Sequence, residues 1–280
     1  MDVSAVLVTY NSGPVLRDAL QSLADDLAGY AWEAVVVDNA SSDTDRVVAG
    51  AFAPRVRVLA NRENVGFARG VNQGIAASTA PLVLIMNPDC RLIAGAFAQM
   101  TRELAQARTA AIVAPRILNA DGTVQGNARG DPDMLTGIFG RAAFLRRLLP
   151  GLTVSRRNVV DDADGPARTV DWVSGACMLA RRDALADVGG FDERYFLYWE
   201  DADLCRRLRS RGYIVRYAPF ATAVHQGGHS SRGAKVPAVR AFHESAYLYY
   251  ATHVAPASPA RRAVARVLLM ARCGIHTRLG

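Results

Sequence analysis

Four short apolar runs set the terms for how this chain can fold. VSAVLVT (3–9), WEAVVVD (32–38), VRVLA (56–60) and LVLIM (82–86) are nearly unbroken stretches of aliphatic residues. Continuous rather than alternating hydrophobicity is the mark of a strand buried on both faces, as in a parallel sheet covered by helices. Between the runs the period changes. Leu16, Leu20, Leu23 and Leu27 recur at helical spacing after Gly13-Pro14, and Ala68, Val71 and Ile75 do so after Gly66. Phe97, Met100 and Leu104 mark a further helix before the strand AAIVA (110–114). This alternation predicts an α/β domain with a mostly parallel central sheet and helices on both faces. Ligands of such sheets bind beyond the carboxyl ends of the strands. There the sequence places TYNS, DNASSD and NPD, after the first, second and fourth runs.

Beyond residue 115 the pattern loosens. RILNADGTVQ predicts a hairpin turning at Asp121-Gly122. Residues 126–168 are rich in Gly, Pro and Arg and read as a surface excursion with an amphipathic helix at 135–149. VDWVSGACMLA (170–180) and YIVRYA (213–218) return to strand, and the chain reads as helical from about residue 237.

Composition narrows the class. No uninterrupted apolar run approaches the ~18 residues of a membrane span. The N-terminus carries an acid at position 2 and no basic segment, so no signal peptide is expected. Four scattered cysteines without a CxxC pair favour reduced thiols in a cytoplasmic protein over disulfides or a zinc site. Neither GxGxxG nor GxxxxGK[ST] is present, which argues against a dinucleotide fold and a P-loop ATPase. The net charge of +7 suits a phosphorylated substrate, an anionic membrane or nucleic acid. FLRRLLPGLTVSRR (144–157) is basic and apolar, and residues 261–280 hold five arginines and no acid. Both stretches are candidates for contact with a negatively charged surface, or for plain solvated helix faces.

YWEDADLCRR (198–207) concentrates three carboxylates. On a helix starting near Glu200, Asp201 aligns with Leu204, Cys205 and Leu208, so it is expected to point inward. Asp203 aligns with Arg206 and Arg207 as an outward, solvated ion pair, and Glu200 falls at the edge of the apolar stripe. An inward carboxylate is costly unless partnered or functional. The alternative is that Glu200 and Asp201 simply satisfy the helix N-terminus.

Seven pieces in order carry a family resemblance: VLVTYNS (6–12), VVVDNASSD (35–43), NVGFARGVNQGI (64–75), LIMNPD (84–89), SGACMLARRDAL (174–185), GGFDERYFLYWEDADLCRRLRSRGY (189–213) and VHQGGHS (224–230). The chain resembles the inverting family 2 glycosyltransferases of GT-A fold, in particular their rhamnosyltransferase-like members. The resemblance implies one nucleotide-diphospho-sugar transferase domain over 1–236, with a donor-binding half at 1–115 and an acceptor-binding, catalytic half at 116–236, followed by a helical, basic tail at 237–280. It implies that Asp201 is the general base, and that Asp89 and His225 hold a divalent cation, Mg²⁺ or Mn²⁺. Asn87 stands where the first aspartate of a DxD motif is usual, a departure shared with the rhamnosyl subgroup that leaves the strength of metal dependence open. Thr9, Tyr10, Asn11, Asp38, Asn39, Gly66, Phe67, Arg69, Asn72 and Asn87 fall on the nucleotide-sugar segments, with core packing the competing role for Phe67. Trp172, Gly175, Trp199 and Glu200 fall on the acceptor side or behind the base.

The implied activity is transfer of a sugar, L-rhamnose from dTDP-L-rhamnose first, to a saccharide or polyprenyl-linked saccharide in cell-envelope or polysaccharide synthesis. Such an enzyme would be cytoplasmic, at most peripheral on the inner membrane face. A UDP-hexose or UDP-N-acetylhexosamine donor is the alternative within the family. A non-enzymatic nucleotide or nucleic-acid binder is the alternative outside it. Asp38, Asp89, Glu200 and Asp201 in one crevice would repel a polyanion, so no nucleic-acid partner is expected.

Overall fold

A computed structural model describes residues 1–131, 159–160, 165–227 and 235–279. The chain runs β1 (Val3–Thr9), α1 (Pro14–Asp26), β2 (Trp32–Asp38), α2 (Asp43–Gly50), β3 (Val56–Ala60), α3 (Phe67–Ala76), β4 (Leu82–Met86), β5 (Cys90–Leu92), α4 (Ala96–Gln106) and β6 (Ala110–Leu118). There follow β7 (Val124–Gln125), β8 (Ala128–Arg129), β9 (Val159–Val160), β10 (Arg168–Val170), β11 (Trp172–Val173), β12 (Cys177–Arg181), α5 (Arg182–Asp187), α6 (Glu200–Ser210) and β13 (Ile214–His225). The chain closes with α7 (Lys235–Tyr249), a π-helical turn (Tyr250–Val254) and α8 (Pro259–Leu279). The short helix α2 has no strong periodicity in sequence and was not anticipated. The helix expected at 135–149 and the basic stretch 144–157 lie outside the described residues.

The main sheet has the order β3-β2-β1-β4-β12-β6-β13-β10, with β5 and β7 paired at its margin. The β3–β2, β2–β1, β1–β4 and β6–β13 pairings are parallel, and β12 is inserted antiparallel between β4 and β6. The central sheet is thus mostly parallel, as the apolar runs predict. The Asp121-Gly122 hairpin also forms, joining β6 to β7. β13 runs to His225, well past the predicted 213–218, because its pairing with β6 shifts register across Pro219 and resumes at Thr222. A second, three-stranded sheet has the order β11-β8-β9.

β1 shows why unbroken hydrophobicity was required. All seven of its residues are buried. Val3, Ala5 and Leu7 face the layer of α1 and α4, against Leu16, Leu20 and Met100. Val6 and Val8 face the opposite layer, against Ala68, Val71, Leu204 and Leu208 of α3 and α6. Two cores therefore flank one sheet, and neither face of β1 tolerates a polar side chain without a partner.

The packing of α3 on β1 depends on a missing side chain. A Cβ at Gly74 would lie 2.4 Å from Val6 Cγ1. In an open helix, Gly→Ala gains about 1 kcal/mol. Here overpacking opposes it with ~1–3 kcal/mol. Gly74→Ala is expected to lower the thermal midpoint by several degrees, and a raised midpoint in a thermal melt would contradict this close approach.

Candidate functional site

β1 pairs with β2 on one side and β4 on the other, so the strand order reverses between β1 and β4. That reversal opens a crevice at the strand ends. A cavity of about 390 Å³ lies there. Its floor is Thr9 and Tyr10 after β1 and Asn87, Pro88 and Asp89 after β4. Its walls include Asn39, Gly66 and Phe67, the aromatic loop Phe196–Tyr198, His225, and Pro237, Ala238 and Ala241 of α7.

The loop after β1 is fixed by Asp45, a residue the sequence reading passed over. Its carboxylate accepts from Thr9 Oγ1, Ser41 Oγ, and the backbone N–H groups of Ser12 and Gly13. Its signal was present but ambiguous, one acid among several in an exposed-looking segment. Asn11 adopts a left-handed backbone (φ 52°), and its side chain accepts from Ser42 N. Asp38 is buried, accepting from Ser41 N at 2.9 Å with Arg46 Nε at 3.5 Å. Asn39 donates to Gly66 O and Asn64 Oδ1 and accepts from Asn61 Nδ2, locking the approach to α3.

Not every candidate reaches the cavity lining. Asn72 is spent on the loop before α6: its amide donates to Phe191 O and accepts from Phe191 N. Arg69 is exposed, 3.8 Å from Glu193. Asn11, Asp38, Trp172, Gly175, Trp199, Glu200 and Asp201 also stand outside that lining. Trp172 donates from Nε1 to Gly130 O and lies under Arg129. Trp199 packs on Phe242 and Tyr249 of α7.

Asp89 and His225 meet because β5 pairs with the end of β13, setting His225 opposite Cys90. His225 Nε2 lies 3.1 Å from Asp89 Oδ1 and 3.2 Å from Asn87 Nδ2. His225 Nδ1 donates to Gln125 Oε1 at 2.7 Å. With that hydrogen engaged, a neutral ring turns its Nε2 lone pair toward the carboxylate. Asn87 Nδ2 can donate to that lone pair, and a cation placed between Nε2 and the carboxylate would take both as ligands. The donor set is a nitrogen and a hard oxygen, which fits Mn²⁺ or Mg²⁺ bound in part by phosphate oxygens and water. Among the described residues no cluster of three or more His, Cys, Asp or Glu could hold a metal by itself. The four cysteines are free and buried, and burial pushes the Cys205 thiol up to about 12.

The helix carrying the three acids is entered through Tyr198 (φ 68°) and Trp199 (φ 69°), two consecutive left-handed residues. Non-glycine residues hold that conformation at a cost of about 1–3 kcal/mol each and concentrate where function demands it. Asp201 Oδ2 accepts from Gly175 N at 3.0 Å and Oδ1 accepts from Ala202 N at 2.8 Å. Burial raises the Asp201 carboxyl above the usual range, opposed by these two N–H groups and the charge of Arg129. A Cβ at Gly175 would sit 3.3 Å from the Phe67 ring and 3.8 Å from Asp201 Cβ, so Asp201 abuts the cavity wall through Gly175 and Phe67.

The helical-wheel assignment of the three acids is corrected. Asp203, expected outward, is 1% exposed and lies between Arg207 Nε (2.7 Å) and His253 Nε2 (2.6 Å). Glu200 is 5% exposed, with Oε2 lacking a hydrogen-bond partner among the described residues. Asp201 is the half-buried member. The wheel failed because α6 has no wet side at its start. Leu204, Cys205 and Leu208 face the sheet, while Ala202 packs with Tyr195 and Tyr249 beneath α7.

Burial, then the charges of Asp201 and Asp203, hold the Glu200 carboxyl well above its ordinary range. A raised folded value means that ionising Glu200 costs the folded state. Its unfavourable contribution therefore grows as pH rises from about 4.5, the ordinary value. Glu200→Gln is expected to gain thermal midpoint relative to wild type as pH rises from 4 to 8. A constant difference across that range in pH-dependent melts would refute it.

Comparisons with known proteins identify the family and the fold. The profile described as "Glycosyl transferase family 2" matches residues 4–189, and that of "Glycosyl transferase family group 2" matches residues 153–243. An N-acetylglucosaminyl-diphospho-decaprenol L-rhamnosyltransferase of Mycobacterium tuberculosis is 34% identical over 261 residues, 88% of this chain and 83% of the relative. Rhamnosyltransferase WbbL of Escherichia coli is 40% identical over 82 residues, 29% of this chain and 31% of that protein. Among solved structures, GalNAc-T7 with UDP, GalNAc and Mn²⁺ superposes with TM-score 0.63 at 16% identity. The match covers 96% of this chain but only 54% of that one. The mannosyltransferase PcManGT from Pyrobaculum calidifontis, in complex with GDP-Man and Mn²⁺, gives TM-score 0.55 at 19% identity, covering 99% and 75%. These two likenesses establish the GT-A fold.

Proposed function

Since the chain belongs to glycosyl transferase family 2 and is a glycosyltransferase, we propose that it transfers L-rhamnose from dTDP-L-rhamnose, with inversion, to a polyprenyl-linked saccharide in cell-envelope synthesis. The rhamnosyl and lipid-linked parts rest on the M. tuberculosis relative, whose name states both for that protein. The observation that carries the reading is the carboxylate of Asp201, fixed by two backbone N–H groups against the wall of the switch-point cavity.

The donor's nucleotide is assigned to the crevice beside Thr9, Tyr10 and Asn39, and its diphosphate to Asn87, Asp89 and His225. A divalent cation held by Asp89 and His225 would supply positive charge to the departing diphosphate. Phe67 lines the cavity beside the assigned donor, and Gly66, lacking a side chain, admits the Phe196 carbonyl that closes the wall. The acceptor hydroxyl attacks the anomeric carbon from the side opposite the diphosphate. Asp201 takes the hydroxyl proton as the new C–O bond forms and the bond to the diphosphate oxygen breaks. One carboxylate suffices, because the departing diphosphate needs no proton when its charge is neutralised. Burial and the neighbouring Asp201 and Asp203 charges favour the protonated form of Glu200, which limits the negative charge beside the base. The enzyme is placed in the cytoplasm, at the membrane face where a lipid-linked acceptor resides.

Asp201→Asn is expected to keep donor affinity and lose transfer by about 10²–10⁴-fold. Wild-type kcat/KM should rise with pH through a midpoint above the ordinary carboxylate value of 3.8, because burial favours the protonated base. Near-normal transfer by the variant would remove Asp201 from the role. Screening dTDP-L-rhamnose against UDP-hexoses and UDP-N-acetylhexosamines decides the donor. Asp89→Ala and His225→Ala are expected to lower the Mn²⁺ dependence of donor binding, measured by calorimetry with and without metal; an unchanged metal response would detach both residues from the cation.

A further inference from the structure

We propose that the outward face of α8 is a docking surface for an anionic lipid bilayer. The inward face of this helix is accounted for: Ala265, Leu269 and Cys273 are 2%, 2% and 9% exposed, and α8 packs along α7. Its other face carries Val264, Val267, Leu268 and Ile275, exposed by 55%, 68%, 45% and 57%. Positions 264, 267, 268 and 275 fall on one side of a helix. An aliphatic stripe of this length on an outer helix needs an occupant.

Charge selects which one. α8 contains arginines 261, 262, 266, 272 and 278 and no aspartate or glutamate. Arg261 and Arg278 are exposed, at opposite ends of the stripe. Aliphatic residues flanked by arginines suit a helix lying in the headgroup layer of an anionic membrane. A second copy suits it less, because two-fold pairing of the stripe would set its own arginines against each other. A polyanion such as nucleic acid would answer the charge and leave the aliphatic stripe in water. Spanning is excluded for the described residues, since no helix is long and apolar enough to cross a bilayer.

The surface also stands in a useful place. The helix it rides on, α7, supplies Pro237, Ala238 and Ala241 to the cavity wall. Packed helix axes are about 8–10 Å apart. Docking through α8 would therefore hold the cavity one helix layer from the lipid surface, where a lipid-anchored acceptor presents its sugar. This last step rests on the transfer reading above; the binding of vesicles does not.

The test is co-sedimentation of the full chain with vesicles of phosphatidylcholine, with and without phosphatidylglycerol, alongside transfer to a water-soluble acceptor analogue. Wild type is expected to pellet with the anionic vesicles and far less with the neutral ones. Val267→Glu with Leu268→Glu should abolish pelleting, and Arg261→Gln with Arg278→Gln should weaken it roughly thirtyfold. Transfer to the soluble analogue should stay unchanged in every variant, which also reports that they are folded. Equal binding to both vesicle types, or wild-type partition by either variant, overturns the proposal. So does a dimer in light scattering that the glutamate variant dissolves, without vesicle binding. Absence of transfer to any acceptor, with vesicle binding intact, would count against the transfer reading and leave the docking surface standing.

Discussion

Everything at the site depends on a strand that has no solvent. β1 is buried along its full length and hydrogen-bonded on both edges. Its side chains must be apolar or, like Ser4 with Glu33 and Ala80 N, fully partnered, so the polar groups open to a ligand are displaced to where the strand stops. The same holds for β4, buried from Val83 to Met86. Because the chain leaves β1 toward β2 and arrives from the other side through β4, the two strand ends stay uncovered together. Thr9 and Asp89 thus reach one cavity as a consequence of how the apolar runs are ordered.

That much was legible in the sequence. Unbroken aliphatic runs located β1, β2, β3 and β4, and polar triplets after them located the crevice. The residue pattern alone could not join Asp89 to His225. Their meeting depends on β5 pairing antiparallel with the last residues of β13, a contact across more than a hundred positions. Only the family resemblance bridged that gap. The burial of α6 was misread for a related reason. A helical wheel assumes one dry side and one wet side, whereas α6 begins between the sheet and α7. Asp203 is dry there, held by His253 and Arg207.

The segment after residue 236 reads in sequence as an appendage. In the structure its first helix forms part of the cavity wall, and the turn that follows it is bonded to α6. Arg206 donates to His253 O, and His253 reaches Asp203, two positions after Asp201. A buried hydrogen bond of this kind adds only about 1 kcal/mol net, but removing one partner leaves the other polar group buried and unsatisfied. Its evident effect here is to fix one arrangement of α7 against α6.

The contact between α3 and the aromatic loop before α6 has its own consequence. Phe67 N donates to Phe196 O at 2.7 Å, and a Cβ at Gly66 would lie 2.5 Å from that same oxygen. The start of α3 and the loop that leads into α6 are thereby fastened by a single peptide group. For anyone re-engineering the pocket, the two halves are not independent dials. Remodelling 64–67 will also shift the loop at 196–199, and libraries that vary both loops jointly will search this pocket more efficiently than libraries that vary either alone.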